Sequence, residues 1–226
     1  MDPTLSLGDL LPAAVGIAMS PVPVAAVILM LFSARARSNG VAFVAGWMTG
    51  LVVVGGVLLL LGSDRAGSSG EPSTTSLWVK FVLGALLLGV AVWQWLSRPD
   101  AGAEPATPRW MAAVDGFSAV KSFGLAALLS GLNPKNLALN AAGVVIILQG
   151  GLEPAGEWIA FTVFVLLASL TVIAPVGYYF IAGDRADALL TSLKSWLLRS
   201  NAAVMAVLLV IFGVKLLADG IQGLVG

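Results

Sequence analysis

The sequence predicts an all-α membrane protein, six transmembrane helices forming a 3+3 inverted repeat with both termini outside. Three observations carry that prediction. Of 226 residues, 58% are hydrophobic and only 11% charged, where a soluble domain carries about 25% charge. Apolar runs near membrane-spanning length recur along the chain, and the mean hydropathy is +0.97. Two of those runs, the first and the fourth, are broken by proline, at Pro21/Pro23 and at Pro134.

Composition also narrows the chemistry. Twelve basic and twelve acidic residues balance, so nothing suggests a nucleic-acid partner. With no histidine and no cysteine, disulfides, thiol redox relays and the usual zinc ligands are excluded, and no cofactor or metal is expected. No nucleophile with a recognisable base appears, so the expectation is a protein that is not an enzyme. The start, Met1-Asp2-Pro3-Thr4, lacks the basic region of a cleaved signal peptide, and the first helix is expected to be retained.

The first apolar run, residues 10–32, carries no charge and is interrupted by Ser20-Pro21-Val22-Pro23. Ser20 suits an N-cap and Pro21 suits the first helical position, where no donor is needed, so a second helix segment should begin there. Arg35 and Arg37 mark a basic turn. Residues 41–62 form a charge-free run of about 33 Å, long enough to span, with Ala42, Gly46 and Gly50 at intervals of four as a face for close helix packing. Residues 63–76, rich in Gly and Ser, read as a loop. The third span is expected at 77–96, with Lys80 near one end and Trp93 and Trp95 near the other as interfacial anchors.

The first repeat is thus residues 1–97. A polar linker, 98–120, follows and includes a surface helix at 108–120, with Trp110, Met111, Val114 and Phe117 on one face. The second repeat, 121–226, opens with a fourth span at 121–148, and residues 149–157 read as an acidic loop. The fifth span, 158–182, contains Pro175, expected as a kink rather than an end. Residues 184–199 repeat the amphipathic pattern, with Leu189, Leu190, Leu193, Trp196 and Leu197 on one face. The sixth span, 202–217, ends near Lys215, which can snorkel outward.

Basic residues set the orientation. Eight fall in the first, third and fifth connections (Arg35, Arg37, Arg98, Arg109, Lys121, Arg185, Lys194, Arg199) and three on the other side (Arg65, Lys80, Lys215). The expected topology is N-out and C-out. The offset of 113 residues that carries Pro21 onto Pro134 also carries Thr49 onto Thr162. Each half then reads as a broken helix followed by two plain ones, and three-span repeats must be inverted in the membrane.

The fourth span holds Asn133-Pro134-Lys135-Asn136 and, further on, Asn140. Asn133 suits an N-cap and Pro134 the first helical position. Lys135 lies mid-span, where a lysine costs about 2.5–3.5 kcal/mol on insertion scales. The expected site is the meeting of two half-helix N-termini with the Lys135 ammonium, the natural guest being an anion. No acidic residue is expected inside any span to neutralise it. Asn140 and the repeat-related Thr49 and Thr162 complete the candidate set.

The stretches Ser20-Pro21-Val22-Pro23-Val24-Ala25-Ala26-Val27-Ile28 and Leu132-Asn133-Pro134-Lys135-Asn136-Leu137-Ala138-Leu139 make the chain resemble, over its whole length, the actinobacterial GAP family of lipid-addressing proteins, within the lysine-exporter (LysE) superfamily. The resemblance implies a multi-pass exporter in the bacterial inner membrane that delivers envelope lipids such as glycopeptidolipids or sulfolipids. It also implies substrate-site roles for Ser20, Pro21, Pro23, Asn133, Pro134, Lys135 and Asn136. The expected partners are membrane lipids and an anionic lipid or glycolipid substrate, with a homodimer or a larger lipid-export complex left open. Two alternatives stand beside this reading: a LysE-type exporter of a small solute such as an amino acid, and a non-transporting scaffold of a lipid-export complex.

Overall fold

The computed structural model of the chain describes residues 7–66, 116–186 and 188–193, together with single positions or pairs between 78 and 96 and between 210 and 222. Among the described residues there are helices and no strands. They run as α1 (Leu7–Ala18), α2 (Pro21–Leu31), α3 (Ala36–Ala66), α4 (Ala119–Gly131), α5 (Pro134–Gln149) and α6 (Pro154–Ala182), closed by a 3-10 turn over Gly183–Arg185.

Both expected breaks are present. Between α1 and α2 the chain bends by 58° across two residues, Met19 and Ser20. Between α4 and α5 the interruption is Leu132-Asn133. At each break a proline opens the next helix, because its ring fixes φ and it has no N–H to leave unpaired. α1 and α6, in contrast, run on through Pro12 and Pro175. α6 stops at Gly183, whose φ of +54° an L side chain rarely adopts.

Two helices are long and apolar enough to cross a membrane, residues Ala36–Gly62 of α3 and all of α6, and the bent α1–α2 pair makes a third if it forms one crossing. At 27 and 29 residues the two long ones measure about 40 and 43 Å, ample for a hydrocarbon core of about 30 Å. The chain is therefore a membrane protein. The expected third and sixth spans lie outside the described residues except for scattered helical positions, where Gly213 packs closely on the Leu88 side chain.

Some boundaries move. α6 begins at Pro154 rather than near Trp158, since Glu153 and Pro154 supply a helix start that the acidic composition of the segment hid. α4 begins at Ala119, inside the expected surface helix, with Ser118 Oγ accepting from the Lys121 N–H at 3.4 Å. The remainder of that surface helix, residues 108–115, lies outside the described residues. Of the amphipathic stretch 184–199, residues 188–193 are helical, with Leu190 buried and Leu189 exposed.

The halves pack by exchange. α3 lies most extensively along α4, while α1 lies along α5 and α6. The small face of α3 makes the first contact possible: a Cβ at Gly46 would collide with the Phe123 carbonyl oxygen, and one at Gly50 would meet the Ala127 carbonyl oxygen at 2.6 Å. Here backbones touch, as small-residue faces allow. α2 sits innermost, buried along nearly its whole length. At one end, the fully buried Asn39 donates to Ser33 Oγ and to the Phe117 carbonyl, each at 3.1 Å, tying the turn after α2 to the lead into α4.

Candidate functional site

A helix that ends inside a membrane leaves its last four carbonyls without intrahelical partners, and lipid offers none. At the end of α1 those are Val15, Gly16, Ile17 and Ala18, and the structure gives each a donor. Val15 accepts from the Met19 N–H at 2.8 Å and Ile17 from the Ser20 N–H at 3.1 Å. Gly16 accepts from Lys135 Nζ at 3.0 Å. Ala18 accepts from the Thr171 hydroxyl of α6.

Lys135 is the second residue of α5, so its side chain starts at the positive end of its own helix and reaches to the negative end of α1. That placement adds a helix C-terminus, where cations are stabilised, to the expected meeting of two helix N-termini. Nζ also donates to Ser20 Oγ. Ser20 Oγ donates to Asn136 Oδ1 at 3.0 Å, and Asn136 Nδ2 donates to the Leu129 carbonyl in the last turn of α4 at 3.0 Å. One polar chain therefore runs from the broken end of α1, through Lys135, Ser20 and Asn136, to the broken end of α4. Ser20, Lys135 and Asn136 are all buried, Lys135 to 5% exposure.

The two N-caps differ. Asn133 caps α5 as the sequence suggests, its Oδ1 accepting from the Lys135 N–H at 3.0 Å. Ser20 makes no side-chain cap for α2. Pro23 removes one of the two N–H groups such a cap can take, and the hydroxyl bonds Lys135 and Asn136 rather than the Val22 N–H that remains. For the same reason the first turn of α2 carries a single N–H, that of Val22, which makes it a poorer anion cradle than its dipole alone suggests.

The other candidates separate. Pro21 and Pro23 are buried in the first turn of α2, Asn133 is half-buried and Pro134 exposed. Asn140 is fully buried one turn beyond Asn136 on the same face of α5. Its Nδ2 donates to the Leu51 carbonyl of α3 at 3.0 Å, while Oδ1, which lacks a partner among the described residues, lies against Gly55. Thr49 and Thr162 stand outside the cluster. Each is exposed and donates back to the carbonyl four residues earlier in its own helix, Ala45 and Trp158, at 2.8 Å.

Two residues escaped the sequence reading. Thr171 is one hydroxyl in a long apolar run, and nothing local reveals that it meets Ala18. Glu157 was assigned to an acidic loop, but the earlier start of α6 places it, buried, in the first turn of a span candidate. At the very start of that helix, it stands at the end of the span candidate rather than along its length. Among the described residues, no group of acidic side chains is arranged to hold a metal ion.

Broken helices meeting end to end around a buried lysine, inside an all-helical apolar fold, define an integral membrane protein with a polar junction in its core. The chain belongs to the family described as Sap, sulfolipid-1-addressing protein, whose family model matches residues 10–222. No curated protein and no solved structure matches it.

Proposed function

We propose that the protein moves an anionic envelope lipid or glycolipid outward across the bacterial inner membrane, with Lys135 receiving the headgroup. The observation that carries this reading is a lysine buried at the junction of two broken helices, in a chain whose family is described by a sulfolipid, that is, by a lipid with an anionic headgroup. Among the partners of Lys135 there are the neutral oxygens of Gly16 and Ser20. A sulfate or phosphate offers charged acceptors in their place, and charge-assisted hydrogen bonds are roughly twice as strong as neutral ones. Acyl chains can remain in the bilayer while the headgroup crosses.

The proposal includes a 3+3 inverted repeat of the kind found in the LysE superfamily. In its support, each half runs in the order broken pair, then long helix; the first helix of each half packs on the long helix of the other; and Thr49 and Thr162, related by the repeat offset, make the same backbone bond. Transporters of that design bind substrate where discontinuous helices meet near the midplane.

The test is mass spectrometry of lipids that co-purify with the protein and with Lys135→Met. Enrichment of one anionic lipid over bulk membrane, lost in the variant, is the expected result. Bulk lipid alone in both preparations would sink the reading and favour the small-solute exporter. Enrichment without movement of that lipid in proteoliposomes would favour the scaffold of a larger complex.

A further inference from the structure

We propose that Thr171 is a positioning residue, which holds the broken end of α1 against Lys135 and so sets how strongly the Gly16 carbonyl competes with an anionic headgroup for the ammonium. The competition rests on the headgroup reading above; the holding of α1 does not.

A threonine in an apolar helix ordinarily turns its hydroxyl back to a carbonyl of its own preceding turn. Thr162 and Ser169 of α6 do so, donating to Trp158 and Val165. Thr171, of the same helix, donates across to Ala18 of α1 instead. Of the four terminal carbonyls of α1, two are satisfied by the backbone of the break itself, and two by side chains of the second half, Lys135 and Thr171. These two acceptors, Gly16 and Ala18, are two residues apart, one bound by α5 and the other by α6.

The two bonds are not equivalent. An anion reaching Lys135 would draw the ammonium from Gly16, whereas nothing about an anion disturbs a neutral hydroxyl on Ala18. Thr171 then still ties the last carbonyl of α1 to α6 while the ammonium changes partner, and it returns Gly16 to Lys135 when the anion leaves. Close packing sharpens the register: Gly16 lies under Leu139 of α5, so near that a Cβ would fall 2.9 Å from Leu139 Cδ1.

Thr171→Val keeps the branched shape and removes the donor. Because the end of α1 is then held less firmly, Gly16 competes less well, and an anionic lipid should bind more tightly. One neutral hydrogen bond corresponds to about two- to tenfold in an equilibrium constant. Thr171→Ser, which keeps the hydroxyl, should restore the original affinity. A residue that merely stabilises the fold predicts the opposite sign, since a loosened fold binds less tightly.

The experiment measures binding of a sulfated glycolipid, with its unsulfated counterpart as control, to the full chain and to both variants in detergent. In parallel, the natural absence of cysteine allows Met19→Cys, at the half-buried break, to report the α1 end through its rate of thiol labelling without lipid. Support would be severalfold tighter sulfated-lipid binding and faster labelling in Thr171→Val, both reversed in Thr171→Ser. Unchanged or weaker binding, or unchanged labelling, in Thr171→Val overturns the proposal. If the chain itself does not distinguish sulfated from unsulfated lipid, the headgroup reading fails, and labelling alone decides whether Thr171 holds α1.

Discussion

At the scale of single residues, the junction is a set of mutual satisfactions, and each member is worth what its loss leaves unpaired. Ser20→Ala removes an acceptor of Lys135 and the donor of Asn136 together. Leaving buried polar groups unpaired costs about 1–3 kcal/mol, so this variant should unfold at a clearly lower temperature in detergent, while Ser20→Thr keeps the hydroxyl and most of the stability. Asn140→Ala should cost less, about 0.6–1.7 kcal/mol, the range of single polar bonds between membrane helices. A smaller loss on unfolding Ser20→Ala than Asn140→Ala would mean that the chain of bonds through Ser20 contributes little. Asn133 and Lys135 were legible in the sequence because the cap is local and a lone charge in an apolar run stands out. Ser20 stands at the N-cap of α2 as expected, but where its hydroxyl bonds depends on what lies 115 and 116 residues away. The Thr171 contact, 153 residues from Ala18, left no local trace.

Helices are where packing decides. Gly46 and Gly50 admit α4 to within backbone contact, and in both cases a carbonyl oxygen, which cannot step aside as a side chain can, stands where a Cβ would be. Gly46→Ala should therefore force α3 and α4 apart at a cost of about 1–3 kcal/mol, the usual range for overpacking. Gly124→Ala, on the facing helix, is the control: no atom of the described residues lies within 4 Å of its added Cβ, and exchanging Gly for Ala in a helix gains about 0.5–1 kcal/mol. Thermal unfolding of the two variants should move in opposite directions; a shared direction would show that the small face of α3 is not what seats α4. The spacing of Ala42, Gly46 and Gly50 announced such a face in the sequence but not its partner. Helix ends were read less well, as at α6, where an acidic turn looked like loop.

For the whole molecule, the two breaks and the long helix after each were visible because proline punctuates the chain alike at Pro21 and Pro134, whereas which of the described helices pack together arises only from tertiary contact. The proposed orientation is open to direct measurement. In whole cells, a cysteine replacing Glu153 should react with an impermeant thiol reagent, and one replacing Ser38 should react only after the membrane is opened; labelling of both from one side would reject the N-out arrangement. The first turn of α2 bears on how such a molecule could move. With Pro21 and Pro23 it carries one N–H where an ordinary helix start carries three, so its tip has little thirst for water. The Ser20 hydroxyl is then the polar group at that tip whose partners would have to be replaced if α2 shifted against Lys135 and Asn136, so the junction works as a single latch.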